Sequence, residues 1–309
     1  MNKFKAWIKA FRLRTLPLSF SAIILGGALV SIDYQLDYKV FFLILLTTLL
    51  LQVLSNLAND FGDAQKGTDN ENRVGPTRAI QSGDISVKEM KIAIIITSFL
   101  TLFSGTFLLL TAFKGQFIYY FIAFFLIGIL AIVAAIKYTI GKNAYGYSAK
   151  GDLFVFVFFG LVAVLGTYFL LSHHFEMLIV LPAITIGGFS VAVLNLNNMR
   201  DIENDKAVHK ITLPVKMGLE NSKKYHYAIF FWSYLAFIAF CILKFNSTNM
   251  FLMMTPLLIV SIIHFFHLKK VSLIKNNKDF DPELKKIAIS ALMFSVLVFV
   301  VVQLLINYL

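Results

Sequence analysis

The chain has 309 residues, 58% of them hydrophobic and 32 of them Phe, an apolar share that excludes an ordinary soluble globular domain. Its net charge of +11 sits in short islands between apolar runs, which points to membrane topology and away from nucleic acid. A lone cysteine, Cys241, excludes an intramolecular disulfide.

The start, MNKFKAWIKAFRLRTLP, is basic and amphipathic. The apolar run after it lacks a small-residue cleavage site, so a retained first helix is expected. That first span covers about 16–31, interrupted by Pro17, with Gly26 and Gly27 set for close helix packing. The second, about 40–57, leads into NLANDFGDAQKGTDNENRVGPTRAIQSGDI, part of the longest polar stretch. Spans three and four cover about 92–112 and 117–136, with Lys114 between them. A loop dense in Gly and Tyr, YTIGKNAYGYSAKGD, precedes span five at about 153–171. Span six, about 177–196 with Pro182 near its start, ends in NLNNMRDIEND. Spans seven and eight cover about 227–243 and 250–266, and a basic loop precedes the last, about 287–306. Runs of this length match the roughly 20 residues that cross a bilayer. The expectation is an all-α polytopic protein of nine transmembrane helices, residues 1–309 forming one integral membrane domain.

Of the 28 Lys and Arg residues, all but Lys39, Lys114 and Lys244 fall before span one or in alternate loops. Excess basic residues mark the cytoplasmic side. The N-terminus and both polar clusters are therefore expected to be cytoplasmic.

Asn56, Asp60 and Asp63 follow one another at spacings of four and three, so a continuing helix would set them on one face. Asn59 lies beside them. Asp201 and Asp205 are again four apart, with Asn197 and Asn198 one turn earlier. Carboxylates at a membrane boundary are costly unless paired, hydrated or bound to a cation. Magnesium takes oxygen ligands and is commonly held by one or two carboxylates plus substrate phosphates. Lys66, Arg73, Arg78, Lys142, Arg200, Lys206 and Lys210 surround the clusters and would clamp the remaining phosphate charge. Acid, amide and base at the mouth of an apolar cavity fit an amphiphile with a diphosphate head. An allylic tail would leave as a carbocation, shielded from water, for an aromatic acceptor to attack; this needs no Ser or Cys nucleophile.

Single acidic residues have a simpler reading as helix caps or partners of basic loops, and Asp69, Glu71, Asp84 and Glu203 are assigned so. His264 and His267 are three apart with no Cys or acidic partner nearby in sequence, and His209 and His226 are read as loop or interface residues. No nucleotide-binding glycine loop is present. A transporter of an organic anion or cation would carry charges near mid-membrane on broken helices, whereas these gather at one face.

These residues resemble the UbiA-type membrane prenyltransferases. The resemblance rests on Asn56, Asn59, Asp60 and Asp63 as the first motif and Asp201 to Asp205, preceded by Asn198, as the second. KGTDNENRVGPTRAIQSGDI, YTIGKNAYGY before GDLFVFVFFG, and DIENDKAVHKITLPVKMG are most similar to the branch acting on 1,4-dihydroxy-2-naphthoate. Ile211 is an insertion in that branch's Lys-Thr-Leu run, and Ala144 stands where a Pro is usual.

The resemblance implies helices around a central cavity with a lateral opening to lipid, in the bacterial inner membrane. Asp60, Asp63, Asp201 and Asp205 would hold Mg2+, supported by Asn56 and Asn198. Lys66, Arg73, Arg78, Lys142 and Lys210 would contact the diphosphate or an acceptor carboxylate, and Tyr138 would line the aromatic pocket. The implied substrates are polyprenyl diphosphate and 1,4-dihydroxy-2-naphthoate, giving demethylmenaquinone and CO2. The alternative acceptor is 4-hydroxybenzoate or another aromatic. Membrane lipids are expected around the protein, with neither nucleic acid nor an obligate protein partner.

Overall fold

The computed structural model describes residues 2–71 and 73–308. Met1 and Asn72, each within a stretch quoted above, lie outside the described residues. Among the described residues nine helical segments are long and apolar enough to cross a membrane.

An amphipathic helix α1, Lys3–Phe11, opens the chain and is followed by α2, Leu16–Asp33. Pro17 does not interrupt α2. It sits in the first turn, where its missing N–H leaves no hydrogen bond unmade. Next come α3, Tyr38–Gln65, α4, Val87–Phe113, and α5, Ile118–Lys137. The Asp37 side chain caps α3 by accepting from the amides of Lys39 and Val40, and Ser86 with Glu89 forms a capping box on α4. The helix α6, Gly151–Ser172, is π-helical over Phe156–Val162, and α7, Val180–Arg200, follows it.

Two short helices, α8, Ile202–Ala207, and α9, Leu213–Met217, lead to α10, Leu219–Lys244. The chain ends with α11, Ser247–Leu273, and α12, Asp281–Tyr308.

Helix α2 packs along α12, α3 along α4, and α7 along both α10 and the π-helical part of α6. Their shared core is apolar, with Leu25, Leu29, Phe189, Phe237 and Phe294 fully buried. Side chains such as Phe99, Phe103, Trp232, Leu258 and Phe265 are largely exposed, an arrangement that fits hydrocarbon and not water.

Histidines that read as isolated in sequence are buried partners. His267 Nδ1 lies 2.6 Å from the Glu283 carboxylate and its Nε2 lies 2.9 Å from His226, while His264 bridges Tyr234 and Ser290. The acidic partner comes from the next helix, out of reach of local spacing.

Glycine permits the close crossing of α6 and α7. A Cβ on Gly160 would stand 2.7 Å from the Gly187 Cα and 2.8 Å from the Ala183 carbonyl oxygen. Small residues let helix backbones approach in lipid. Gly160→Val is therefore expected to destabilise the protein by about 1–3 kcal/mol or more through overpacking. Gly105→Ala, whose new Cβ meets only Thr47 at 3.7 Å, is expected to leave stability nearly unchanged. Melting temperatures in detergent test the pair, and an equal response overturns this account of the crossing.

Candidate active site

Helix α3 continues past its apolar run to Gln65, so Asn56, Asp60 and Asp63 all sit on its last turns and are buried. On α7 and α8 the backbone turns at Asp201, yet the Asp205 amide still donates to the Asp201 carbonyl oxygen at 2.8 Å. Both clusters face one cavity of about 840 Å3, bounded by α2 to α7 and the start of α12.

Three loops meet over its mouth. The Asn204 amide donates to the Thr68 carbonyl oxygen at 2.9 Å, and the Tyr147 hydroxyl donates to Asp63 Oδ1 at 2.7 Å while sharing 2.5 Å with the Thr68 hydroxyl. The Ala149 amide donates to the Ile211 carbonyl oxygen at 2.7 Å. The inserted Ile211 thus belongs to the tie between the tyrosine-rich loop and the segment after α8.

The expected residues are not all placed alike. Asp63, Asp201, Asp205, Asn56, Arg73, Arg78, Lys210 and Tyr138 line the cavity. Asp60 instead faces a second, smaller pocket beside α1, paired with Arg12 and with Arg78 Nε at 3.5 Å. Asn198 is buried and Asn197 lines the cavity in its place, its Oδ1 accepting from Arg200 at 2.9 Å. Lys66 is outside the lining, with its ammonium 3.8 Å from the Tyr147 ring centroid. Lys142 is exposed on the loop and does not line the cavity.

Several lining residues carried no readable signal. Arg12 and Arg14 belong to a segment that reads as surface charge, and Asp281 and Lys285 to the last basic loop, yet all four reach the cavity. Arg200 joins Asp201 on one side and Asp281 on the other. Asp69, read above as a helix cap or a partner of basic loop residues, is such a partner, its side chain fully buried with Arg73 Nε at 3.1 Å and Arg78 Nε at 3.9 Å.

Charge at the mouth is unevenly balanced. Burial raises the Asp205 pKa to about 6 against the pull of Lys210 at 3.5 Å, and Asp205 Oδ2 has no hydrogen-bond partner. Burial, reinforced by Asp63, likewise lifts Asp69 to about 6 despite its arginines. Burial works the same way on Asp201, but Arg200 outweighs it and holds that carboxyl below its ordinary value. Burial opposes the charge of Lys210, yet Asp63 and Asp205 keep its ammonium above the usual lysine range. Burial pushes the Tyr138 hydroxyl up to about 12, so it stays protonated.

Among the described residues no three His, Cys, Asp or Glu side chains form a ready cage for a metal ion. The oxygen donors that do line the cavity fit a hard cation that keeps waters and gains phosphate ligands, which needs no such cage. Asp205 Oδ2 and both oxygens of Asp69 are buried without a hydrogen-bond partner, and of these two residues Asp205 is the one that lines the cavity.

The profile of the UbiA prenyltransferase family matches residues 20–294. The chain is 42% identical over 261 residues to 1,4-dihydroxy-2-naphthoate octaprenyltransferase of Escherichia coli, covering 84% of each protein. Against the enzyme of the same name from Haemophilus influenzae it is 45% identical, covering 83% of this chain and 84% of that one. A solved UbiA homolog from Archaeoglobus fulgidus bound to GPP and Mg2+ superposes with a TM-score of 0.66 at 17% identity, covering 95% of this chain and 99% of that chain. The UbiA homolog from Aeropyrum pernix gives 0.65 at 15% identity, over 91% and 97% of the two chains.

A carboxyl whose pKa rises on folding holds its proton more tightly in the folded chain. Its ionised form therefore weighs against folding above about pH 6, and this burden fades as pH falls toward the ordinary aspartate value of 3.8. In chelator-treated protein, Asp205→Asn is expected to be about 1–3 kcal/mol more stable than the parent at pH 8, with the gain closing toward pH 4. Thermal melts across that range test it; a pH-independent difference overturns the charge assignment.

Proposed function

The chain belongs to the UbiA prenyltransferase family, and on that premise we propose that it transfers a polyprenyl group from polyprenyl diphosphate to 1,4-dihydroxy-2-naphthoate. The observation that carries the reading is a single cavity with Asp63, Asp201, Asp205 and Lys210 at one end and an apolar, aromatic wall over the rest. An amphiphile with a charged head matches that division, and neither half alone would serve it.

Asp63, Asp201 and Asp205 would hold magnesium. The chemistry that magnesium would supply there is to offset the negative charge of the diphosphate and make it a better leaving group. Tyr147 orients Asp63 through its 2.7 Å hydrogen bond, and Lys210 presents its ammonium to the same space. Asp60 has a different place in this arrangement, holding Arg12 and Arg78 at the mouth for a phosphate or carboxylate. The walls, among them Phe154, Phe158 and Val162, exclude water from the allylic carbon while its C–O bond breaks. A ring carbon of the acceptor takes up the prenyl group and releases a proton. The carboxylate leaves as CO2 with a proton in its place on the ring, which gives the reduced form of demethylmenaquinone.

We further propose a bacterial inner-membrane location with the N-terminus and the charged mouth on the cytoplasmic side. The lopsided distribution of Lys and Arg supports this orientation.

Protein in liposomes with polyprenyl diphosphate is expected to prenylate 1,4-dihydroxy-2-naphthoate with CO2 release, and to stop when EDTA removes magnesium. Product from 4-hydroxybenzoate alone would move the chain to a different acceptor; none from either would reject the reading. Tyr147→Phe removes the hydrogen bond to Asp63 and leaves the ring under Lys66. Losing a group that orients a metal ligand typically costs about 10–100-fold in metal affinity or activity. Titrating magnesium against turnover checks this, and parent-like magnesium dependence would separate Tyr147 from the metal site.

A further inference from the structure

One wall of the cavity carries charge that the proposed reaction leaves idle. Asp281, Leu284, Lys285 and Ala288 recur at helical spacing, so one face of the first turns of α12 looks into the cavity. Helix α2 packs along α12 and adds Leu18 to the lining, together with Arg14 from the turn just before it. That turn is held to α3. Asn56 Nδ2 donates to the Phe11 carbonyl oxygen at 2.9 Å and to the Thr15 hydroxyl at 3.1 Å, and Gln52 Nε2 donates to the same hydroxyl at 3.2 Å. Arg14 therefore stands on backbone fixed from both sides.

Most of the charges around it are matched. Asp60 holds Arg12 and Arg78, Asp69 holds Arg73, and Arg200 joins Asp201 to Asp281. Arg14 and Lys285 are left over. Both are exposed, and among the described residues neither side chain makes an ion pair or a hydrogen bond. Arg14 feels the repulsion of Arg12, Arg73 and Arg200, while the one acid that attracts it, Asp281, is taken up by Arg200. Around Asp63 and Asp205 the imbalance has the other sign. These two share Lys210, and Asp205 Oδ2 stays unpartnered. One part of the cavity thus lacks positive charge, which the reading above gives to magnesium, and another lacks negative charge.

We propose that Arg14 and Lys285 bind the carboxylate of the aromatic acceptor, with its ring laid against Leu18, Leu284 and Ala288. The inference rests on the prenyl-transfer reading above. A flat aromatic acid brings one negative charge and an apolar ring, which complements two unpaired cations beside an aliphatic wall. The carboxylate keeps its charge while a ring carbon takes up the prenyl group, so the cations hold it equally before and during that step. Their effect falls on acceptor binding and not on the rate of bond formation.

The test uses the full-length protein in phosphatidylcholine vesicles with magnesium and octaprenyl diphosphate. It measures kcat and KM for 1,4-dihydroxy-2-naphthoate, and the inhibition constant of 1,4-dihydroxynaphthalene, which lacks the carboxylate, as a competitor. Arg14→Gln and Lys285→Gln are each expected to raise the naphthoate KM about 10-fold or more, the scale of one hydrogen bond to a charged group, with kcat near the parent's. The inhibition constant of the carboxylate-free ring is expected to stay at the parent value, and Lys285→Arg to keep most of the naphthoate affinity. An equal rise in both constants overturns the carboxylate site. A rise in the KM of octaprenyl diphosphate with none for the naphthoate also overturns it, and gives the two cations to the donor. If the parent itself prenylates no naphthoate, the functional reading fails first and the carboxylate site with it.

Discussion

The cost of placing ionised groups at the end of an apolar bundle governs how this protein is built. Each buried charge must find a partner, and the partners come from distant parts of the chain. Asp60 takes Arg12, which lies before the first span, and Arg200 on α7 takes Asp281 at the start of α12. With Arg73 also reaching Asp201 at 4.0 Å, the mouth fastens the first, middle and last thirds of the sequence together. Removing one member leaves another charge buried without compensation, which costs more than the pair contributes. Stability of the bundle end and shape of the site are in this sense the same problem.

Pairing is nevertheless incomplete where the mouth meets the cavity. The arginines satisfy Asp60 and Asp201, while Asp205 retains an unpartnered oxygen and a raised pKa. A purely structural network would be expected to relax toward full satisfaction. Leaving carboxylate character unmet next to a large cavity reserves binding energy for a cation that arrives with the ligand. The geometry thus divides the acidic residues into those that hold the arginines in place and those that stay available. Spacing in the sequence treats all four aspartates alike and cannot make this division.

What the sequence conveys well is whatever depends on local period. Long apolar runs mark the nine spans found among the described residues, and the spacing of Asn56, Asp60 and Asp63 gives a shared helical face once α3 continues to Gln65. Long-range partners are the part it conceals. Nothing near Arg12 distinguishes it from a lysine that only marks membrane topology, because its partner Asp60 lies 48 residues further on. Which of Asn197 and Asn198 lines the cavity is hidden for a finer reason. Adjacent helical residues point about 100° apart, and only the packing of α7 decides which amide meets the cavity. Lys142 has the right charge and neighbourhood, but its loop carries it to the exposed side.

The buried histidines carry the same logic away from the mouth. Glu283 sits two residues after Asp281 on α12, and its carboxylate is held by His267 at 2.6 Å and by Lys270 and Lys286 at 3.1 and 2.8 Å. His267 in turn meets His226, whose ring lies 3.3 Å from the Asn195 amide on α7. Hydrogen bonds across helices are useful in lipid because an unmade one has no water to fall back on. This chain of contacts fixes the start of α12 against α7, α10 and α11. Asp281 is carried on that start, two residues before the anchor, and it is Asp281 that holds the outer fork of Arg200. A polar network with no access of its own to the cavity thereby determines where a guanidinium stands inside it.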